Sequence, residues 1–141
     1  MRLAVPAALV QAALTLAAFA ALSWAFVVSD FSVKLVATNS HSMKPDMYLW
    51  TGVWANHEGS LLLWVLVMAL SGAMVALAPA TLGPRFRDRV LSVQAMVALG
   101  FFAFLLIASN PFERLVPAPT EGQGLNPLLQ DPGLAFHPPL L

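Results

Sequence analysis

The sequence contains no cysteine and very few charges. Without cysteine the chain cannot itself perform thiol–disulphide exchange, bind metal through thiolates or supply a cysteine nucleophile, although it could act on a partner that has cysteines. Charged residues make up 10% of the chain, against roughly 25% in soluble domains, and hydrophobic residues make up 59%. So few charges could not coat a soluble globule, and a disordered chain needs low hydrophobicity and high charge. The composition therefore predicts a membrane protein.

An excess of either sign of charge is also absent, because seven Lys and Arg residues balance seven Asp and Glu residues. No basic field exists to hold nucleic acid, and no acidic field exists to attract a basic partner. We therefore expect a lipid membrane, and no nucleic acid, among the partners of this chain.

Three long segments contain no charged residue: positions 3–29, 59–84 and 90–112. Each exceeds the roughly 20 residues that an α-helix needs to cross a hydrocarbon core about 30 Å thick. These segments predict an all-α integral membrane protein with about three transmembrane helices, at about 5–27, 61–80 and 90–109. We interpret the first as a retained helix, because its apolar core is longer than the 7–15 residues usual in a cleaved signal peptide.

The connections between these helices differ in positive charge. Arg85, Arg87 and Arg89 lie close together in the second connection, whereas the first, 29–60, carries only two lysines among three acidic residues. The positive-inside rule then predicts that the arginine cluster faces the cytoplasm. The loop 29–60 and the segment 110–141 are consequently predicted to lie on the outer face.

The segment 110–141 is rich in proline and still apolar. Six prolines after position 114 exclude a continuous helix, and the leucines between them are too apolar for a solvated coil. We predict an irregular segment of short turns that lies on the membrane surface or docks on other protein. Asn126-Pro127 and Asp131-Pro132 each suit a cap followed by a first-turn proline. Because the sequence ends while still apolar, we interpret 1–141 as a single membrane domain, a truncated or split piece of a larger polytopic protein.

The tryptophans are distributed on one side of the predicted topology. All four fall on the outer side: Trp24, Trp50, Trp54 and Trp64. An interfacial aromatic belt would account for them without any function, although belts usually decorate both interfaces. The alternative is a one-sided platform for a flat apolar ligand. The residues alone leave both alternatives open.

The three histidines, His41, His57 and His137, also fall on the outer side, and no pair has the spacing of a helical zinc site. We expect His41 to be a solvated loop residue. His57 and Glu58 either belong to a capping segment at the start of the second span, where Gly59 permits a tight approach, or form an ionisable pair at a substrate-binding rim. No catalytic triad, carboxylate pair or phosphate loop is indicated by spacing.

Four motifs point to a known family. The sequence contains, in this order, SDFSVKLVATNS, HEGSLLLWVL, SNPFERL and LNPLLQDPGLAFHPPLL. Through these motifs, residues 24–141 resemble the amino-terminal portion of the CcmF family, the membrane haem lyase subunits of cytochrome c maturation in bacteria and plant mitochondria. Complete members carry a tryptophan-rich haem signature that has no counterpart in this chain.

The resemblance implies that the chain is part of the haem lyase and handles b-type haem, as substrate or cofactor, at the outer face of the bacterial inner membrane, rather than of the mitochondrial one. It implies that His137 of the HPP motif is a haem-iron ligand, and Trp50 and Trp54 are the candidate haem contacts. The implied partners are a haem-chaperone protein, apocytochrome c, apocytochrome thiol-reductase or lyase subunits and the remaining part of the haem lyase. Alone, the chain is expected to be inactive; the alternative function is a non-catalytic assembly or scaffold subunit that does not bind haem.

Overall fold

The computed structural model describes residues 3–78 and 83–133, and its regular structure is helical. The helices are α1 (Ala4–Val27), α2 (Lys34–Asn39), α3 (Asp46–Gly52), α4 (His57–Leu77), α5 (Pro84–Ile107) and a short 3-10 helix (Pro127–Leu129). The described residues include no strand, and their extended pairing is limited to an isolated antiparallel bridge between Val33 and Arg114. The all-α prediction is therefore confirmed.

Three of these helices, α1, α4 and α5, are long and apolar enough to cross a membrane. Helix α1 begins within one residue of its predicted span, whereas α4 begins at 57 rather than 61 and α5 at 84 rather than 90. Helix α4 begins at His57 because Asn56 caps it, and α5 begins at Pro84, where the fixed φ of proline suits a first helical position. The cluster Arg85, Arg87 and Arg89 therefore lies in the first turns of α5 and not in a connecting loop.

The predicted loop 29–60 is also partly helical, because it contains α2, α3 and the first turn of α4. Helices α1 and α5 end at the same end of the molecule at which α4 begins. We call the two segments at this end, 28–56 and 108–133, the cap. The arginine cluster lies at the opposite end of the bundle.

Helix α4 lies at the centre of the bundle. In an apolar 18-residue stretch of each long helix, 33% of the residues are buried in α4 and 17% in each of α1 and α5. Helices α4 and α5 form an antiparallel pair, in which Gln94 Nε2 donates to the carbonyl oxygen of Met68 and the Gln94 amide lies over Gly72. A hydrogen bond of this kind between helices helps to hold a pair together in lipid.

The largest core cluster joins the cap to the bundle. It contains residues from α1, the cap, α4 and α5: Leu22, Phe26, Val33, Leu35, Val36, Val53, Leu62, Val65 and Leu105. Each fully buried side chain of this size contributes roughly 1.5–3 kcal/mol relative to an exposed one. Burial of Val33, Leu35, Val36 and Val53 therefore fixes the first cap segment, 28–56, on the ends of the helices.

The proline-rich segment docks on the first cap segment through backbone hydrogen bonds. Lys34 N donates to Glu113 O at 2.8 Å and Leu115 N to Ser32 O at 2.8 Å. As predicted, the segment is irregular, and Asn126 caps the 3-10 helix that starts at Pro127, accepting from Leu128 N at 3.1 Å. The prediction that this segment lies on the membrane surface or docks on other protein is wrong for its described residues, which dock on the segment 28–56 of the same chain.

Candidate functional site

The predicted site residues do not share one environment. His137 lies outside the described residues, so its role as a ligand stays a prediction. Trp50 lies on α3 and is 53% exposed, whereas Trp54 is half-buried and packs against the core cluster. Of the two candidate haem contacts, Trp50 therefore offers the more open indole face, and Trp54 packs where α3 meets the bundle.

The other two tryptophans are exposed on the long helices near the cap. Trp24 is 66% exposed at the end of α1, and Trp64 is 52% exposed near the start of α4. All four tryptophans thus lie at or next to the capped end, as the topology predicted. Exposed indoles at this level suit both an interfacial belt and a platform for a flat ligand.

Asn56 joins α3 to α4 and was not among the predicted site residues. Its Oδ1 accepts from Gly59 N at 2.7 Å, and its Nδ2 donates to Gly52 O at 2.8 Å and Val53 O at 3.2 Å. A Cβ on Gly59 would overlap the carbonyl oxygen of Val53, so the tight approach predicted for Gly59 is confirmed. An Asn before an acidic first turn is the signal that could have identified this cap.

His57 and Glu58 lie in the first turn of α4, as predicted for a capping segment. Together with Trp64 and Phe104 they line a cleft of about 380 Å³ between the start of α4 and the end of α5. The aromatic side chains form its apolar part and the first turn of α4 its polar part. The second interpretation, an ionisable pair at a binding rim, stays a prediction.

Lys44 is a buried cation within the cap. Its side chain is 8% exposed, and its Nζ donates to the carbonyl oxygen of Asn39 at 3.1 Å, at the end of α2. Burial lowers the pKa of Lys44 to about 8. A Cβ on Gly52 would come within 2.7 Å of this Nζ, so the ammonium group also lies against the end of α3.

Glu121 connects the two cap segments. Its carboxylate accepts from Ser42 Oγ at 2.7 Å, from Ser42 N at 3.1 Å and from Gly122 N at 3.0 Å. These hydrogen bonds, chiefly the one from the Ser42 hydroxyl, lower the pKa of Glu121 to about 2. His41 was expected to be a solvated loop residue; it is half-buried, with Nδ1 3.9 Å from Glu121 Oε1.

The described part of the chain contains no group of three or more His, Asp or Glu side chains that could hold a metal ion. A bare divalent cation usually needs such a set of ligands.

The fold is that of a multi-pass membrane protein with a folded cap on one end of its helices. Residues 54–141 match the sequence profile of a family described as "Cytochrome C assembly protein". The match covers more than half of the chain, and the chain belongs to this family. The resemblance found through the four motifs is confirmed.

Individual relatives agree with this assignment. Over its whole length the chain is 58% identical to the cytochrome c-type biogenesis protein ccl1 of Rhodobacter capsulatus and covers 22% of that protein. It is 49% identical to CcmF of Pseudomonas aeruginosa, again over 22% of the relative. Over 88% of the chain it is 51% identical to CcmF of Escherichia coli, of which it covers 19%. The chain thus spans about a fifth of the length of these relatives, at their amino-terminal part. No solved structure matches the chain.

Proposed function

We propose that this chain is part of the haem lyase of cytochrome c maturation and handles haem at the outer membrane face for covalent attachment to apocytochrome c. The observation that supports the proposal is the cap. It lies at one end of a membrane-spanning bundle, carries exposed Trp50, and holds in place the segment that leads to the HPP motif. The family of the chain supplies the pathway in which such a surface would act.

The charges support an orientation with the cap outside. Arg85, Arg87 and Arg89 lie at the uncapped end, and the positive-inside rule favours the cytoplasm for them. Basic residues of the cap are outnumbered by acidic ones, among them Glu113 and Glu121. We therefore propose a bacterial inner-membrane protein with a periplasmic cap.

In this proposal haem is the substrate and the chain binds and orients it. His137 would coordinate the iron through a neutral imidazole, and Trp50 would lie against a porphyrin face. Trp54 would pack between α3 and the core cluster. Because the chain has no cysteine, the thiols that join the haem vinyl groups belong to apocytochrome c. The other partners would be a haem chaperone, thiol-reductase or lyase subunits and the rest of the lyase, without which the chain would be inactive.

The test compares two histidine substitutions in the assembled maturation complex. His137→Ala should lower cytochrome c yield and alter the absorption spectrum of haem bound on the outer face, because an axial ligand is lost. His41→Ala is the control and should leave both nearly unchanged, because the polar contacts of His41, with Met43 N and Glu121, lie within the cap. Both are measured at equal protein level in the membrane.

Two results would contradict the proposal. Normal yield and spectrum for His137→Ala would favour the non-catalytic assembly subunit that does not bind haem. An equal loss for His41→Ala would show that the effect is not specific to His137.

A further inference from the structure

A groove runs along the surface between α4 and α5, from the contact of Gln94 with Gly72 toward the cap. It consists of two adjoining clefts. The cleft nearer the cap has a volume of about 380 Å³, and the one deeper along the helices has a volume of about 400 Å³. Both clefts are lined by Leu61 and Phe104, so they form one continuous surface. We call the two clefts together the α4–α5 groove.

The lining of the α4–α5 groove changes from polar to apolar with distance from the cap. The cleft next to the cap is lined in part by His57, Glu58 and Ser109. The deeper cleft is lined by apolar residues, among them Val97 and Gly100. A ligand that fills the whole groove therefore has to be an amphiphile, with its polar end at the cap and its apolar end between the helices.

The groove is open on the side that faces away from the bundle. A Cβ on Gly100 would meet open space, and the side chains of Trp64 and Phe104 are 52% and 55% exposed. In a bilayer, tryptophan at the end of a spanning helix lies at the level of the headgroups, and the apolar residues deeper along the helix lie among the acyl chains. An amphiphile can therefore enter the groove sideways from the membrane.

The charge of the groove favours a cationic headgroup. Glu58 is half-buried, and the described lining residues of the cleft next to the cap include no lysine or arginine. The ion pairs between described residues lie within the cap and do not involve Glu58. An ammonium group would complement this carboxylate and could also lie against the indole of Trp64, because tryptophan faces attract cations. Haem is a poorer occupant, since Glu58 would repel its propionate groups.

We propose that the α4–α5 groove binds a membrane phospholipid with an ammonium headgroup. The ammonium group lies at Glu58, and one acyl chain follows the surface of residues 97–104. The Ser109 hydroxyl and the His57 imidazole can donate hydrogen bonds to the phosphate group between them. This inference does not depend on the proposed function, because neither haem nor His137 takes part in it.

The test is photo-crosslinking of the assembled maturation complex in vesicles of equal amounts of phosphatidylethanolamine and phosphatidylglycerol. Two probes, one with each of these headgroups, carry the same photoactivatable acyl chain and are added separately in trace amounts. Mass spectrometry of peptides then locates and quantifies the attached probe. We expect the ethanolamine probe to label residues 97–104 about threefold more strongly than the glycerol probe, as the charge of one partly exposed carboxylate allows.

Two substitutions address the two ends of the groove. Gly100→Leu fills the deeper cleft, and Glu58→Gln removes the charge near the cap while keeping the size of the side chain. The matched controls are Ala103→Leu, at an exposed position of α5 outside the groove lining, and Glu113→Gln, at an exposed carboxylate of the cap. We expect Gly100→Leu to lower the labelling of 97–104 about tenfold with either probe, because the added side chain occupies the space of the acyl chain. Glu58→Gln should abolish the preference for the ethanolamine probe, and the controls should label as the wild type does.

The contrary results are distinct. Equal labelling of the wild type by the two probes would overturn the recognition of an ammonium headgroup. Labelling that Gly100→Leu leaves unchanged would overturn the binding site, because it would reflect contact with bulk lipid only. No label on 97–104 would overturn it as well and would show that another part of the complex, such as a further helix, covers the groove. If Gly100→Leu lowers the amount of complex, the ratio of the two probes in Glu58→Gln decides, since this ratio does not depend on protein level.

Discussion

Asn56→Ala should destabilise the junction between α3 and α4. The change removes the acceptor for Gly59 N and the donor for Gly52 O and Val53 O, and all three backbone groups belong to buried residues. Loss of an N-cap costs about 0.5–2 kcal/mol and each further hydrogen bond about 0.5–1.5 kcal/mol. Since one Nδ2 serves both carbonyls, we expect a total loss of about 2–3 kcal/mol.

Asn56→Asp distinguishes the two halves of this interaction. The carboxylate can still accept from Gly59 N and is favoured at a helix N-terminus, but it cannot donate to the α3 carbonyls. It should therefore lose less stability than Asn56→Ala, about 1–2 kcal/mol. The control is Asn110→Ala, which removes a hydrogen bond from Phe112 N at an exposed position.

The assay is denaturant-induced unfolding in detergent micelles, followed by the helical circular dichroism signal, with free energies compared at a fixed detergent concentration. The expected order of stability is wild type, then Asn110→Ala, then Asn56→Asp, then Asn56→Ala. Stability of Asn56→Ala equal to or above that of Asn110→Ala would contradict the capping role of Asn56, and so would Asn56→Asp as the least stable variant.

Two further predictions concern Lys44, which is buried, and Gln94, which is half-buried. Because burial lowers the pKa of Lys44 from 10.5 to about 8, the unfolded state binds more protons than the folded state between these values, so stability should rise with pH across this window. Lys44→Met should abolish that rise and increase the free energy of unfolding below pH 8, as measured by unfolding curves at several pH values. An unchanged dependence of this free energy on pH would contradict the lowered pKa of Lys44. Gln94→Leu removes the hydrogen bond to the Met68 carbonyl oxygen and should lower the free energy of unfolding in micelles by about 1 kcal/mol. A variant more stable than the wild type would contradict this expectation.

The helices that can span a membrane were predictable because absence of charge over 20 or more residues is a strong and local signal. The first residues of these helices were harder to predict, because a helix begins where its backbone is capped and not at the edge of an uncharged segment. Pro84 starts α5 before the three arginines, whose charges can remain in water while the helix continues. Helices α2 and α3 span 6 and 7 residues, too short for a periodic pattern to identify.

At the candidate site, only features encoded within a few residues were predictable. Gly59 is such a feature, because its partner Val53 is close in sequence. The contact between Ser42 and Glu121 joins positions 79 residues apart, and nothing in the local sequence around either one indicates the other. The burial of Lys44 and the different exposure of Trp50 and Trp54 likewise depend on tertiary packing.

The two ends of the bundle are stabilised by different forces. Near the cap, apolar side chains that were not buried would contact water, so the core cluster that includes Phe26 and Val53 stabilises this end through the hydrophobic effect. Deeper in the bilayer, lipid is as apolar as leucine, and helix association depends on close packing and on polar contacts such as Gln94 with Gly72 and Met68. A detergent or lipid that loosens helix packing should therefore separate α5 from α4 before it disturbs the cap. The haem-handling surface that we propose on the cap would then stay folded after the membrane-spanning helices have come apart.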